Sequence, residues 1–119
     1  MPARNLHDLP ALERFLEEVY GGRFVVANTN LAVATTLTQV TGHNYERLGL
    51  TLINTGAKNI HVAPTQNVSS TTGIVLGANG GFLSLTARDD LVLVGYEWFA
   101  VSITAGSTVE VIEVIRFTA

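Results

Sequence analysis

The sequence contains no cysteine. Disulfides, thiolate nucleophiles and zinc sites built on cysteine are therefore excluded, and this absence is typical of a protein assembled in a reducing cytoplasm. The sequence also has no apolar run near the roughly 18 residues that are needed to span a bilayer. The segment after Met1 is charged and amphipathic, so it does not read as a secretory signal. We expect a protein that is made in the cytoplasm and does not associate with membranes.

Charged side chains are scarce as well. They make up 14% of the 119 residues, compared with about a quarter in a typical domain. Residues 21–119 carry only five Lys or Arg and six Asp or Glu side chains. The net charge of −3 and the isoelectric point of about 5.5 leave no basic field that would attract nucleic acid. A surface with so few charges is either covered by Thr, Ser, Asn and Gly or partly buried in an assembly.

Apolar residues are plentiful enough for one compact core. They make up 47% of the chain, and the mean hydropathy is +0.32, values that exclude a disordered protein. The length is that of one domain. We interpret 1–119 as a single domain, in which residues 1–21 form a helical extension and 22–119 form a β-structure.

The extension has the signals of a short N-terminal α-helix. Asp8 is suited to the N-cap, Pro10 lies in the first turn, and Gly21 and Gly22 supply a stop. Apolar residues recur on one side at helical spacing; they are Leu9, Leu12, Phe15, Leu16 and Val19. This stripe either packs on the protein's own sheet or docks as an arm on a neighbouring subunit.

From Gly22 onward the pattern changes to alternation. Roughly eight short strands follow at intervals of about 8–14 residues, with no second helix; this pattern predicts an antiparallel β-sandwich, jelly-roll-like, with a smaller barrel as the alternative. Separate strands are expected at 23–28 and 31–41, and another at 91–94. The segment GANG at 77–80 predicts a β-hairpin, and residues 65–73 predict an exposed loop.

Two further features concern side chains that point away from the core. Trp98 and Phe99 are adjacent in a strand, so they face opposite sides, and one of them should meet a partner or the helix. The last strand, 109–117, is apolar in its middle on both faces, with Ile112 and Val114 on the second face. Either the helix or another subunit covers that face. The candidate interface is therefore Leu9, Leu12, Phe15, Leu16, Val19, Ile112 and Val114.

No pattern of catalytic or metal-binding residues is found. His7, His43 and His61 do not have a metal-ligand spacing, and Asp89 and Asp90 lack the flanking ligands of a calcium loop, so they read as turn formers. The glycines around 73–81 are followed by neither Lys-Ser/Thr nor a helix and cannot cradle phosphate. We expect no catalytic, cofactor or metal site, and a protein that is not an enzyme.

One long stretch has a recognisable pattern. The residues NTGAKNIHVAPTQNVSSTTGIVLGANGGFLSL, followed by DDLVLVGYEWFAVSITAGSTVEVIEV, span 54–114. This region resembles small β-rich virion proteins of tailed bacteriophages, in particular capsid decoration or cement proteins. The resemblance implies a protein on the capsid exterior, made in the host cytoplasm. It would form a dimer or trimer, and it would stabilise the capsid by bridging subunits of the major capsid protein.

Other virion roles stay open at this point. The same pattern occurs in fibre and neck components, and a receptor- or carbohydrate-binding module could use the same type of fold. Such a module needs an exposed cluster of Trp or Tyr with carboxylates nearby. Trp98, Tyr20, Tyr45 and Tyr96 are the only such aromatics in the sequence.

Overall fold

Residues 23–117 form eight β-strands in two antiparallel sheets. The computed structural model describes Arg14, Glu18, Val19 and residues 23–117. The strands are β1 Arg23–Val33, β2 Thr38–Thr41, β3 Arg47–Asn54, β4 Ile60–Ala63, β5 Ile74–Leu76, β6 Phe82–Thr86, β7 Trp98–Ser102 and β8 Ser107–Phe117. A helical turn, Ala87–Asp90, and a 3-10 helix, Leu91–Gly95, connect β6 to β7. The prediction of a mainly β, antiparallel protein is confirmed.

Little of the predicted N-terminal helix is described. Arg14, Glu18 and Val19 are helical. Leu9, Leu12, Phe15 and Leu16 lie outside the described residues, so the predicted course of the stripe stays a prediction.

Both sheets draw strands from distant parts of the chain. One has the order β1-β8-β3-β6 and the other has the order β2-β7-β4-β5. β1 and β8 pair over their full lengths, from Arg23 opposite Phe117 to Val33 opposite Ser107. Because β8 also pairs with β3, the C-terminal strand lies in the middle of its sheet.

The main core combines side chains from both sheets. Successive side chains of a strand point to opposite faces. Alternate residues from Leu50 to Asn54 of β3 and from Ser107 to Val111 of β8 are buried, while the residues between them are only half-buried. The indole N–H of Trp98 donates to the carbonyl of Leu93 at 3.1 Å, which satisfies the polar atom of this buried ring. The buried members of the core are Val33, Leu50, Leu52, Ile60, Val62, Leu76, Leu85, Val94, Trp98, Ala100, Val109 and Val111.

A second, smaller cluster lies on the far face of the β2-β7-β4-β5 sheet. Phe99 and Val101 of β7 are buried there with Ala63 and Val68, so Trp98 and Phe99 do face opposite sides. The expectation that the second aromatic meets a partner or the helix is wrong, because Val68 belongs to the protein's own loop. Residues 65–73 are therefore more than an exposed loop: their one large apolar side chain covers a sheet.

The predicted strand at 91–94 is wrong. This segment is the 3-10 helix Leu91–Gly95. Its carbonyls are used by side chains instead of a neighbouring strand: Leu93 accepts from Trp98, and Val94 accepts from Arg47 at 3.1 Å. Apolar content alone predicted a strand here, whereas tertiary hydrogen bonds decided the conformation.

The predicted hairpin at 77–80 is also wrong, although a tight turn is present. Asn79 has a φ of 60°, and the amide of Gly81 donates to the carbonyl of Gly77 at 3.0 Å. The flanking strands β5 and β6 belong to different sheets. The turn is held by the β3–β4 loop, since the amide of Asn79 donates to the carbonyl of Gly56 at 2.8 Å. It therefore carries the chain from one sheet to the other.

The predicted break near residue 29 is absent, because 23–33 is one continuous strand. Asn28 and Asn30 lie at the expected break. Their side-chain amides instead donate across the sheet to Glu110 of β8, at 3.2 and 3.3 Å. This contact explains how two turn-forming residues are accommodated within a strand.

Candidate assembly surfaces

All six carboxylates in residues 23–117 are hydrogen-bonded to neighbours in the same domain. The pairs join β1 to β8, β3 and the residue before it to β8, the residue before β7 to β2, and the helical turn to the end of β6, so these carboxylates have structural partners. The acceptors and their donors are Glu46 with Arg116, Asp89 and Asp90 with Thr86, Glu97 with Gln39, Glu110 with Asn28 and Asn30, and Glu113 with Arg47.

Arg47 is the most buried charge among the described residues, with 2% of its surface exposed. Its Nε donates to Glu113 at 2.7 Å, and its two terminal nitrogens donate to four further oxygens. These belong to Val94, Tyr96, Thr41 and Gly42. A buried guanidinium is tolerated when its charge is paired and its N–H groups are used. Arg47 thus ties the start of β3 to β8, to the 3-10 helix and to the end of β2.

Asp89 and Asp90 act as turn formers, as the sequence predicted. The amide of Thr86 donates to Asp90 at 2.8 Å, and the amide of Asp89 donates to the Thr86 hydroxyl at 3.2 Å. Thr86 is thus the N-cap of the helical turn, and the Asp90 carboxylate accepts from the amide of that N-cap residue in return. Within the described residues, no group of three or more His, Asp or Glu side chains is arranged to hold a metal ion.

The outward face of the β1-β8-β3-β6 sheet carries a continuous apolar stripe. The register places Val26 beside Val114 and Asn28 beside Ile112, while Ile53 lies beside both Glu110 of β8 and Phe82 of β6. The stripe therefore runs diagonally from one edge of the sheet to the other. We call it the diagonal stripe; its members are Val26, Val114, Ile112, Ile53 and Phe82.

The two ends of the diagonal stripe are open to solvent. Val26 is 67% exposed and Phe82 is 68% exposed, and the three residues between them are half-buried. Polar groups flank it on both sides: Glu110 with its asparagines on one side, and Thr51 with Ser84, whose hydroxyls are 3.1 Å apart, on the other. An apolar patch flanked by polar groups is the usual composition of a protein interface.

The structure brings together only part of the predicted interface. Ile112 and Val114 lie in the diagonal stripe, next to each other on β8. Val19 is 56% exposed on the helical segment; the other four predicted residues lie outside the described part. Sequence reasoning missed Val26, Ile53 and Phe82, because their proximity depends on strand register, which periodicity along one strand does not reveal.

A second apolar surface surrounds the 3-10 helix. An open groove of about 290 Å³ is lined by Tyr45, Arg47, Leu48, Ala87, Leu91, Val92, Val94 and Gly95. Leu91 is 70% exposed and Val92 59% exposed, while Arg47 is buried beneath them. Leu91 has a φ of 54° and a ψ of −128°, a backbone conformation that is costly for a bulky residue. Such strain is retained mainly at functional positions.

An aromatic cluster lies beside this groove. The ring of His43 stacks on Tyr45 with centroids 6.0 Å apart and meets the edge of Tyr96 at 5.7 Å. His43 also lies 3.7 Å from the carboxylate of Glu97. This is the combination of exposed tyrosine and nearby carboxylate that a carbohydrate-binding module requires.

An ion pair marks the rim of the open face. Arg116, on the outward side of β8, donates to Glu46 at 2.7 Å. This hydrogen bond, with a smaller contribution from the charge of Arg116, lowers the pKa of the Glu46 carboxyl below its usual value of 4.5. Both groups are exposed, so the pair is screened by solvent.

No helix among the described residues is long and apolar enough to cross a membrane. No protein-family model matches the chain, and no curated protein matches it significantly. The fold is similar to a chain of Bacillus endospore appendages, described as disulfide-linked pili, at 19% identity and a TM-score of 0.47, covering 80% of this chain and 86% of that one.

It is also similar to dTDP-4-dehydrorhamnose 3,5-epimerase from Bacillus anthracis, solved with TDP and pyrophosphate, at 17% identity and a TM-score of 0.44. That similarity covers 90% of this chain and 62% of the epimerase, so this protein spans less than two thirds of the enzyme's length. Both similarities are too distant to carry a conclusion about function.

Proposed function

We propose that this protein is a non-enzymatic structural subunit that attaches to a larger assembly through the diagonal stripe. The observation that carries the proposal is the stripe itself, an apolar band across a sheet face that stays open at both edges. The carboxylates of the same domain support it, because each has a structural partner. The small number of charged side chains in residues 21–119 also supports the proposal, since a surface that is buried in an assembly needs few charges.

We also propose that the two sheets form a jelly roll. The strand orders β1-β8-β3-β6 and β2-β7-β4-β5 support it, because eight antiparallel strands divided between two sheets in this interleaved way correspond to two Greek keys. The shared apolar core between the sheets is consistent with this packing. Jelly rolls occur in viral capsid domains and in lectins, so the fold fits a virion role without requiring one.

The assembly that we propose is the capsid of a tailed bacteriophage. The resemblance of residues 54–114 to capsid decoration proteins supports this choice. In this role the protein would lie on the capsid exterior and bridge neighbouring subunits of the major capsid protein. Each contact can be weak, because many copies on one shell act together. A protein that binds only the assembled state stabilises that state by mass action.

The experiment that tests this role compares particles with and without the protein. It should be found on purified virions in a fixed ratio to the major capsid protein. Particles that lack it should rupture at a lower temperature or a smaller osmotic shock than complete particles. Equal resistance of the two kinds of particle would refute a stabilising role.

A second candidate function, recognition of a carbohydrate receptor, is favoured by one observation. Tyr45 is 71% exposed and stacks with His43 beside Glu97, which offers a ring face and a carboxylate to a sugar. A glycan array with the intact protein tests this candidate. Binding to a defined glycan that is lost in Tyr45→Ala, with unchanged shell attachment, would assign this surface to recognition.

A further inference from the structure

We infer that the groove around the 3-10 helix receives the N-terminal arm of a second copy of this chain. The arm is the segment 9–19, with the apolar positions Leu9, Leu12, Phe15, Leu16 and Val19. The groove is the surface lined by Tyr45, Leu48, Ala87, Leu91 and Val92. The inference concerns contact between copies and does not depend on what the diagonal stripe binds.

Both surfaces are apolar, and the apolar residues of each that the structure describes reach solvent in the single chain. Val19 is the one apolar arm position that the structure describes, and more than half of its surface is exposed. Leu91 and Val92 at the groove are exposed to a similar degree. Since Val19, Leu91 and Val92 are all open while the chain is alone, Val19 does not fill the groove of its own copy. A second copy can bury the apolar side chains of both the arm and the groove.

The arm leaves the domain close to the groove. It ends where β1 begins, and β1 residue Val25 pairs with Ile115 of β8, which in turn pairs with the groove residue Arg47. Two strand spacings of about 4.8 Å therefore separate the start of β1 from the groove, about 10 Å in all. Two copies related by a two-fold axis near this end can exchange their arms reciprocally, which fills both grooves with one interface.

The chemistry of the two surfaces is complementary. An amphipathic helix lays its apolar side chains into an apolar groove at positions separated by three or four residues, the spacing found in the arm. The other side of the arm carries Glu13, Arg14, Glu17 and Glu18, three acidic groups and one basic group. Arg88 follows the groove residue Ala87 directly and is exposed, so a basic group lies at the rim where the acidic side of the arm would face.

The groove has a fixed shape before anything binds to it. Arg47 forms its floor with all its donors engaged, and the carbonyls of Leu93 and Val94 are held by Trp98 and Arg47. The strained backbone of Leu91 then presents its side chain outward. A rigid groove lowers the cost of binding a helix, because little ordering is needed on that side.

The test is a complementation experiment with two defective variants. The arm variant is Leu12→Asp/Phe15→Asp and the groove variant is Leu91→Asp/Val92→Asp. The matched control is Leu37→Asp/Ile103→Asp, which replaces two exposed apolar residues in the loops next to the Val33–Ser107 end of the β1–β8 pair, at the opposite end from the groove. All four proteins are measured by sedimentation velocity at micromolar concentration, and their urea midpoints check that each variant is folded.

The inference predicts dimers for the intact protein and for the control. Each defective variant should sediment as a monomer of 12.7 kDa, because its dimer is weakened about 30-fold or more, as expected when interface hot spots are lost. An equimolar mixture of the two variants should form a dimer again, since one intact arm then meets one intact groove. That dimer should be weaker than the original, because it has one contact instead of two.

Three results would overturn the inference. The intact protein could be a monomer, either defective variant could still dimerise normally, or the mixture could stay monomeric, which would show that the arm does not bind the groove of another copy. If an aspartate variant fails to fold, Leu12→Ser/Phe15→Ser and Leu91→Ser/Val92→Ser give the same comparison with smaller perturbation. Shell attachment is measured separately, so loss of the dimer and loss of the proposed function can be told apart.

Discussion

The two sheets differ in what covers their outer faces. On the β2-β7-β4-β5 sheet, the outward residues Phe99 and Val101 are buried because Val68, from the protein's own loop, packs with them. On the β1-β8-β3-β6 sheet, the outward diagonal stripe ends in two residues that are more than 60% exposed, Val26 and Phe82. The cluster around Phe99 is closed by the protein's own loop, whereas the diagonal stripe stays open at both edges.

This difference separates two roles for an apolar side chain on a sheet surface. An outward residue that is buried within its own domain contributes to folding stability. An outward residue that stays exposed contributes little to folding and is available to another molecule. Substitutions on the two faces should therefore change the free energy of unfolding by very different amounts, with the largest loss expected at Phe99.

Phe99→Ala should destabilise the isolated protein strongly. The ring is 95% buried in the smaller cluster, and replacing a buried phenylalanine by alanine costs about 3–5 kcal/mol through lost burial and the cavity that remains. Urea unfolding measures the free energy directly. A loss below about 1 kcal/mol, within the range of ordinary surface changes, would show that this face is not part of the folded core.

Val68→Ala should have an intermediate effect. The change removes two methyl groups from the loop residue that covers the Phe99 cluster. At roughly 0.8 kcal/mol per buried group, the free energy of unfolding should fall by about 1–2 kcal/mol. The same urea titration measures it, with Thr71→Ala in the same loop as control. An effect no larger than that of the control would mean that the loop does not cover the sheet in solution.

Val26→Ser/Phe82→Ser should leave the stability of the isolated protein nearly unchanged. Both positions are largely exposed, and surface substitutions of this kind usually change the free energy of unfolding by less than about 0.5 kcal/mol. The midpoint and slope of the urea transition should both match the original protein. A loss comparable to that of Phe99→Ala would place the stripe inside the folding core and remove the distinction between the two faces.

Glu46→Gln should have the smallest effect, and one that depends on pH. Because its hydrogen bond to Arg116 lowers the pKa of the folded Glu46, the contribution of the pair is present above the usual pKa of 4.5 and is lost as the pH falls through the folded value. The variant should therefore be slightly less stable than the original at pH 6, and the difference should shrink as the pH falls below 4.5 towards pH 3. A larger difference at pH 3 than at pH 6 would contradict this assignment.

The sequence predicted the type of structure better than the contacts between its parts. Alternation from Gly22 onward indicated antiparallel strands, and the two apolar faces of β8 indicated that Ile112 and Val114 need a cover. These are properties of one strand at a time. The sheet assignment of β5 and β6 could not be predicted, because the turn at 77–80 has the local signal of a hairpin although the strands it joins lie in different sheets.

The candidate surfaces were predictable only in part for the same reason. The diagonal stripe depends on the register that brings Val26, Ile53 and Phe82 into line with β8, and the sequence does not state that register. The groove depends on the 3-10 helix, which the sequence suggested as a strand because Leu91, Val92 and Leu93 are all apolar. Its conformation is set by distant partners, Arg47 and Trp98, whose contacts are tertiary.

The most direct test of the proposed attachment is binding of the protein to bacteriophage capsid shells that lack it. The variant Val26→Asp/Phe82→Asp places two charges on the diagonal stripe, and Leu37→Asp/Ile103→Asp is the matched control away from it. If the stripe is the attachment surface, the intact protein and the control should co-sediment with the shells, and the stripe variant should stay in solution while remaining folded. Equal binding of all three proteins would contradict the account.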